Sequence, residues 1–228
     1  MTDMKKTIKQ LSFLLIAAVF LAGFSSISTV SAANNTNLTQ VVNGGTLLTD
    51  IRDASRVAVA SPSFAMSAQT FSFNCGTSTG SVGSNTQRVY LDNPDSADNG
   101  WTLTMAATGG VTTLWQNSGS SQNFDFNDPS SCTDGGDADA RPGQLTVDPA
   151  VSTLTTDCAS CAVTSITKGS SAAYSQGVTD SVTLLNAAAG SNDVGRWYLT
   201  GVGVSQAIPA EQTVDSYTIN LTVTATAS

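Results

Sequence analysis

Apolar and polar residues exchange places at every second position over several short stretches of this chain, and Gly, Asn, Asp and Ser separate those stretches. Phe71-Ser72-Phe73, Val89-Tyr90-Leu91, Trp101-Thr102-Leu103-Thr104-Met105 and Leu145-Thr146-Val147 all show it, the pattern of a strand with one face buried. The terminal stretch is the clearest. Tyr217, Ile219, Leu221 and Val223 fall on one side, and Thr218, Asn220, Thr222 and Thr224 on the other, as in a sheet packed on one face. Past the N-terminal region no stretch has convincing helical spacing, and Asn186 to Gly190 would make one turn at most. The pattern predicts an all-β fold: a single β-sandwich, immunoglobulin-like or jelly-roll-like, of many short strands joined by Asp- and Gly-rich loops.

The first residues add a location. Lys5, Lys6 and Lys9 precede an uncharged, mostly apolar run from Leu11 to Phe24, followed by Val30-Ser31-Ala32. A basic region, a short apolar run and a small-x-small site are the parts of a secretory signal peptide. Crossing a bilayer takes about 20 apolar residues, and this run is shorter. The expected organisation is therefore a signal peptide over 1–32, cleaved after Ala32, and one β-domain over 33–228, secreted to the cell surface with no membrane segment after cleavage. An uncleaved N-terminal anchor is the alternative, since Ile27 and Val30 extend the apolar run.

Composition then removes whole classes of function. The 228 residues include no histidine and carry a net charge of -8, so catalysis by Ser-His-Asp or Cys-His and zinc or haem held by imidazole are excluded. Without Lys5, Lys6, Lys9 and Asp3 the mature chain holds six basic and sixteen acidic residues, a net charge of -10. Binding a phosphate backbone needs clustered Lys and Arg, so nucleic acid is not an expected partner. The chain is 40% hydrophobic, which separates it from disordered Ser/Thr-rich segments. No nucleophile stands beside a base in any motif, and no enzymatic activity is expected.

An internal echo runs through the chain. Arg88-Val89-Tyr90-Leu91-Asp92-Asn93, an Asp/Asn-rich loop and Gly100-Trp101-Thr102-Leu103-Thr104 can be laid over Ser181-Val182-Thr183-Leu184-Leu185-Asn186, a loop with Asn192 and Asp193, and Arg196-Trp197-Tyr198-Leu199-Thr200. Two halves of one sandwich would produce it, and so would two independent hairpins that share turn chemistry.

These motifs resemble the WxL-domain surface proteins of Gram-positive-type bacteria. That family carries one Trp-x-Leu after an Asp-rich turn and a distal Y-x-x-x-[LIV]-T-W-x-L close to its C-terminus. Trp101-Thr102-Leu103 is similar to the first, and Tyr217-Thr218-Ile219-Asn220-Leu221-Thr222-Val223-Thr224-Ala225 to the second. Trp101, Leu103, Tyr217, Leu221 and Thr222 are thus the family-motif positions. Ile208-Pro209-Ala210 resembles the family's approach to its last strand. Val223 and Ala225 stand where the family has its distal Trp and Leu, and Trp197-Tyr198-Leu199 is an additional W-x-L. The resemblance implies a non-enzymatic surface domain held non-covalently at the peptidoglycan of the cell wall. Two alternatives differ in partner. One is a structural subunit of a surface fibre or surface layer, assembled by strand addition through the terminal strand or the Asn34 to Val42 segment. The other is a calcium-stabilised adhesin that binds glycans.

Trp101, Leu103 and Met105 share a strand face, which favours a place in the core. Trp115 follows Gly109 and Gly110 and precedes Gln116-Asn117-Ser118, so it is the candidate ligand-facing aromatic. Cys75, Cys132, Cys158 and Cys161 are an even number in an exported chain, which favours disulfides. Of three pairings, Cys158 with Cys161 and Cys75 with Cys132 is preferred, because the close pair leaves the distant two to close a long loop. Aspartate concentrates at Asp92 to Asn99 and in a stretch with Asp125, Asn127, Asp128, Asp134, Asp137 and Asp139. Calcium takes six to eight oxygen ligands, so the second stretch is the candidate calcium site; solvated Asx turns are the plainer reading. Neither stretch fits an EF-hand loop, since the spacing and the closing glutamate are missing.

Overall fold

The structure, a computed structural model, describes residues 39–135 and 140–228. The signal peptide over 1–32, Asp137 and Asp139 lie outside the described residues. Three four-stranded antiparallel sheets build the fold. In the first, β1 (Leu48–Arg52), β3 (Arg88–Asn93), β12 (Gly195–Thr200) and β8 (Thr153–Thr156) lie in that order. The second runs β10 (Ala172–Ala173), β7 (Gln144–Asp148), β13 (Val202–Ile208) and β2 (Gly76–Val82). The third runs β15 (Leu221–Ala227), β4 (Trp101–Ala107), β11 (Ser181–Ala187) and β9 (Ile166–Lys168). A small sheet of β14 (Tyr217–Thr218), β5 (Trp115–Asn117) and β6 (Asn123–Phe124) is added outside them. Among the described residues a 3-10 turn at Pro149–Val151 is the one helical element. The architecture is the all-β, sandwich-like fold the alternation predicts.

Period 2 explains the core. In β4 burial alternates strictly, with Trp101, Leu103, Met105 and Ala107 inside and the residues between them half-buried. They join Leu91, Leu145, Val147, Leu184, Trp197, Leu199 and Val204 in one buried cluster drawn from all three large sheets. Each such side chain contributes roughly 1.5–3 kcal/mol by leaving water. Trp101 and Trp197 meet at the centre with ring centroids 5.6 Å apart. The ring nitrogen of each is satisfied, Trp101 Nε1 donating to the Asp193 carbonyl at 3.0 Å and Trp197 Nε1 to that of Ala162 at 2.9 Å.

The strand orders hold a repeat. Equating β1, β2, β3, β4, β7 and β8 with β9, β10, β11, β12, β13 and β15 converts the order of the first sheet into that of the third. The same exchange maps the second sheet onto itself, with β7 and β13 trading places. A two-fold axis through the Val147–Val204 pair has this effect, because these residues face each other in the ladder. The flanking pairs agree: Ala172 stands opposite Val147 as Gly80 stands opposite Val204. The echo centred on Trp101 and Trp197 is thus part of a repeat spanning β1 to β15, not a coincidence of two hairpins.

Three details differ from the alternation, the first being that Val89, Tyr90 and Leu91 of β3 are all buried. Phe71-Ser72-Phe73 forms no strand; Ser72 Oγ accepts the Asn74 N–H at 2.9 Å in a local turn, and the two rings meet edge to face at 5.3 Å. The terminal stretch breaks into β14 and β15. Its first part pairs with β5 and its second with β4, so one run of sequence serves two sheets.

Candidate binding groove

The halves are joined differently. In the second, β9 reaches β10 through Gly169-Ser170-Ser171, whereas in the first β1 reaches β2 through residues 53–75. Likewise β7 leads to β8 through the turn at Pro149–Val151, whereas its counterpart β13 leads to β15 through residues 209–220. The two long connections run beside one edge of the sandwich. Residues 61–72 lie against β2, where Met66 bridges Gly80 and the Ser67 N–H donates to the Thr79 carbonyl at 2.7 Å. Gly80 permits that approach, since a Cβ there would stand 3.1 Å from the Ala65 carbonyl oxygen. The Cys75–Cys132 disulfide fastens the end of this segment.

Between residues 61–72 and 212–223 a groove of about 1240 Å³ remains. Phe64, Met66 and Phe71 line one wall, and Tyr217, Ile219, Leu221 and Val223 the other. The floor reaches the core itself at Met105, Leu145 and Val204. The Glu211 N–H donates to the Ser72 carbonyl at 2.8 Å and closes one end. β15 pairs with β4 on one side and has no ladder partner on its other side among the described residues. The groove is therefore an opening between the layers beside an unpaired strand.

Trp115, the predicted ligand-facing aromatic, stands in this groove half-buried. Its ring stacks on Phe124 at 5.8 Å, and Phe124 meets the Tyr217 ring edge-on at 5.1 Å. Trp115 Nε1 donates to Gln206 Oε1 at 2.8 Å, and the buried Gln206 donates in turn to the carbonyls of Asp125 and Ala207. Tyr217 Oη donates to the Thr213 carbonyl at 2.7 Å and accepts from Gln212 at 2.8 Å. Among the described residues, the charged side chains that line the groove are Asp50 and Asp215. Asn117 Nδ2 donates to Asp215 Oδ2 at 2.7 Å and the Ser216 N–H to Oδ1 at 2.8 Å. These bonds hold the Asp215 carboxyl below the usual carboxylate range.

Of the WxL-like positions, Trp101 and Leu103 lie on β4, Leu221 and Thr222 on its neighbour β15, and Tyr217 on β14 in the small sheet. Leu103 faces Ala225 across β4 and β15, Met105 faces Val223, and Ala107 faces Leu221. Thr222 Oγ1 pairs with Thr108 Oγ1 at 2.7 Å. Trp101 is fully buried, so these motifs build the sheet that carries the groove wall.

The buried residues of the second acidic stretch bond to backbone groups, whereas Asp92 of the first pairs with Arg52 at 2.8 Å. Asp128 is buried and accepts the N–H groups of Ser130 and Gly135, while Asn127 donates to the Val111 carbonyl. Asp125 is buried and accepts the Phe126 N–H at 2.6 Å; Asp134 is exposed. Among the described residues no three His, Cys, Asp or Glu side chains converge. Both disulfides, Cys75–Cys132 and Cys158–Cys161, are formed. Sequence reading missed the buried Asp193, whose Oδ2 accepts the Gly100 N–H at 3.0 Å and whose carbonyl accepts from Asn93 and Trp101. It ties together the two loops of the echo, and its place before the second tryptophan was the signal.

Comparison of the chain with protein-family models, curated proteins and solved structures finds no match. The groove's own geometry therefore carries the functional reading.

Proposed function

We propose that the mature chain is a non-catalytic structural subunit of a bacterial cell surface, and that it associates by taking an extended strand of polypeptide into the groove beside β15. The observation that carries this is an unpaired strand edge next to an opening that reaches core residues. An added strand completes the β15 ladder through main-chain bonds, and its alternate side chains enter the apolar floor. Both disulfides suit an oxidising, extracellular setting. The test is amide exchange on dilute mature chain mixed with the octapeptide Lys-Thr-Val-Thr-Val-Thr-Val-Lys. Exchange across Leu221 to Ala227 should slow about tenfold or more, as new ladder bonds protect it. Unchanged exchange at saturating peptide would refute the reading.

Non-covalent association with the cell wall is the second reading. Its support is the placement of Trp101-Thr102-Leu103 and the Leu221–Ala225 part of the distal WxL-like motif on neighbouring strands β4 and β15. Co-sedimentation of the mature chain with insoluble peptidoglycan tests it; recovery only in the supernatant rejects it.

A further inference from the structure

We infer that the groove receives residues 33–42 of a second copy of this chain, so that copies join head to tail; this rests on the strand-accepting reading above. Three observations choose that occupant. The first is exposed apolar surface next to the β-domain. Val41 is 69% and Val42 88% exposed, in a segment, Asn34-Asn35-Thr36-Asn37-Leu38-Thr39-Gln40-Val41-Val42, that holds Thr and Val and lacks Pro. Isolated in water these valines gain nothing; in an apolar groove they lose their contact with solvent.

The second observation is charge. No charged residue occurs between Lys9 and Asp50, in a protein that is otherwise acidic. A strand without charge enters a groove whose charged lining, among the described residues, is Asp50 and Asp215 without burying an unpaired ion. The charged loops elsewhere in the chain do not meet that condition.

The third is direction. The Gly45 N–H donates to the Pro94 carbonyl at 3.1 Å, so the chain enters the β-domain beside the loop between β3 and β4. β4 runs from that loop toward Ala107, and the groove floor contains Met105 from its far end. The groove floor therefore lies toward the end of β4 away from the entry point, while Thr49 to Ile51 on its β1 side follow Gly45 closely, so the choice between a copy's own groove and its neighbour's falls to the double-cysteine variant below. An arm from one copy in the groove of the next is a heterologous contact, which propagates as an open chain. The length suffices: ten extended residues span up to roughly 33–36 Å, whereas a seven-residue strand such as β15 covers about 24 Å. Gly44 and Gly45 lie between arm and β1 and supply the hinge.

The experiment uses the mature chain, residues 33–228, and two kinds of variant. Light scattering over a concentration series should show mass rising to multiples of the monomer. V41K/V42K, altered only at exposed positions, should stay monomeric and melt where the unaltered chain melts when dilute enough to be monomeric. Chains carrying V42C, mixed with chains carrying A68C on the exposed groove wall, should give a mixed covalent dimer in excess of either homodimer. Three results overturn the inference: a monomer at every concentration, assembly untouched by V41K/V42K, or a V42C/A68C double variant that closes its new bond within one chain. If the octapeptide still protects β15 in those cases, the groove reading stands and the arm assignment falls. If it does not, both fall.

Discussion

The two halves of the molecule share an order of strands and differ in what joins them. In the second half Gly169-Ser170-Ser171 carries β9 into β10, and Lys168 Nζ reaches across to the carbonyls of Ala150 at 2.5 Å and Ser152 at 2.7 Å. Those two bonds fasten the short turn between β7 and β8 over its edge of the sandwich. At the place related to it by the two-fold, residues 61–72 of the first half and 212–223 of the second stand apart and leave the groove. The same topology is closed by its own chain on one side and left open on the other. Loop length, which costs little in closure entropy, is what separates a structural edge from a binding edge.

If the repeat is real in energetic terms, its two centres should matter alike. Trp101→Ala and Trp197→Ala each remove a fully buried indole from the same contact, and each should cost about 3–5 kcal/mol. Urea unfolding with disulfides intact measures both. A loss under about 1 kcal/mol for one and a full loss for the other would show that a single half carries the core.

The open side should depend more on its disulfide than the connection between β8 and β9 does on Cys158–Cys161. Cys75–Cys132 closes a loop with a separation of 57 residues and Cys158–Cys161 one of 3. In the chain-entropy account these contribute about 4 and about 2 kcal/mol. C75S/C132S should therefore lower stability by about twice as much as C158S/C161S, and should also weaken octapeptide binding, since Cys75 ends the groove wall. Equal losses, with binding retained, would place the groove wall's support elsewhere.

Much of this was legible in the sequence, and the groove was not. Alternation gave β4 its inside and outside because facing into or out of a sheet is a local property, and the even cysteine count gave the disulfides. The echo around Trp101 and Trp197 pointed to the repeat. Which edge stays unpaired is a long-range property: Met66 meets Gly80, Tyr217 meets Asn117 and Glu211 meets Ser72, and none of these partners carries a periodic signal. The segment around Phe71 looked like a strand because its residues alternate, yet Phe71 and Phe73 are both exposed and pack edge to face on each other beside the groove. Asp128 read equally as a ligand or as Asx-turn charge, and burial, which the sequence does not show, is what gives it and Asp193 their backbone N–H partners.

The locked side can be loosened on its own. Lys168→Met keeps the aliphatic stem and removes the donor, so it should cost about 1 kcal/mol, given that the side chain is exposed. Amide exchange near Pro149–Val151 should rise while exchange on β15 stays as it was. If exchange rises on both edges together, the two sides are coupled and the comparison between them loses its force.

The smallest effect concerns acid. Asp215 is held below the ordinary carboxylate value by the Asn117 bond first and the Ser216 N–H second, so the folded protein favours its ionised form. A depressed folded value adds stability above the ordinary value, 3.8, and that addition is lost as pH falls through the folded one. The carboxylate is exposed, so the change in overall melting should be slight. The local consequence is sharper. Asn117 on β5 and Asp215 tie the connection over residues 209–220 to the small sheet, and protonation removes one acceptor from that clasp. In a titration from pH 5 to about pH 2, the Asn117 side-chain amide resonance should move with the Asp215 carboxyl, and octapeptide binding should weaken over the same range. Asp215→Asn should flatten both curves. A binding curve that still bends in that variant would show that the acid response does not run through the clasp between Asn117 and Asp215.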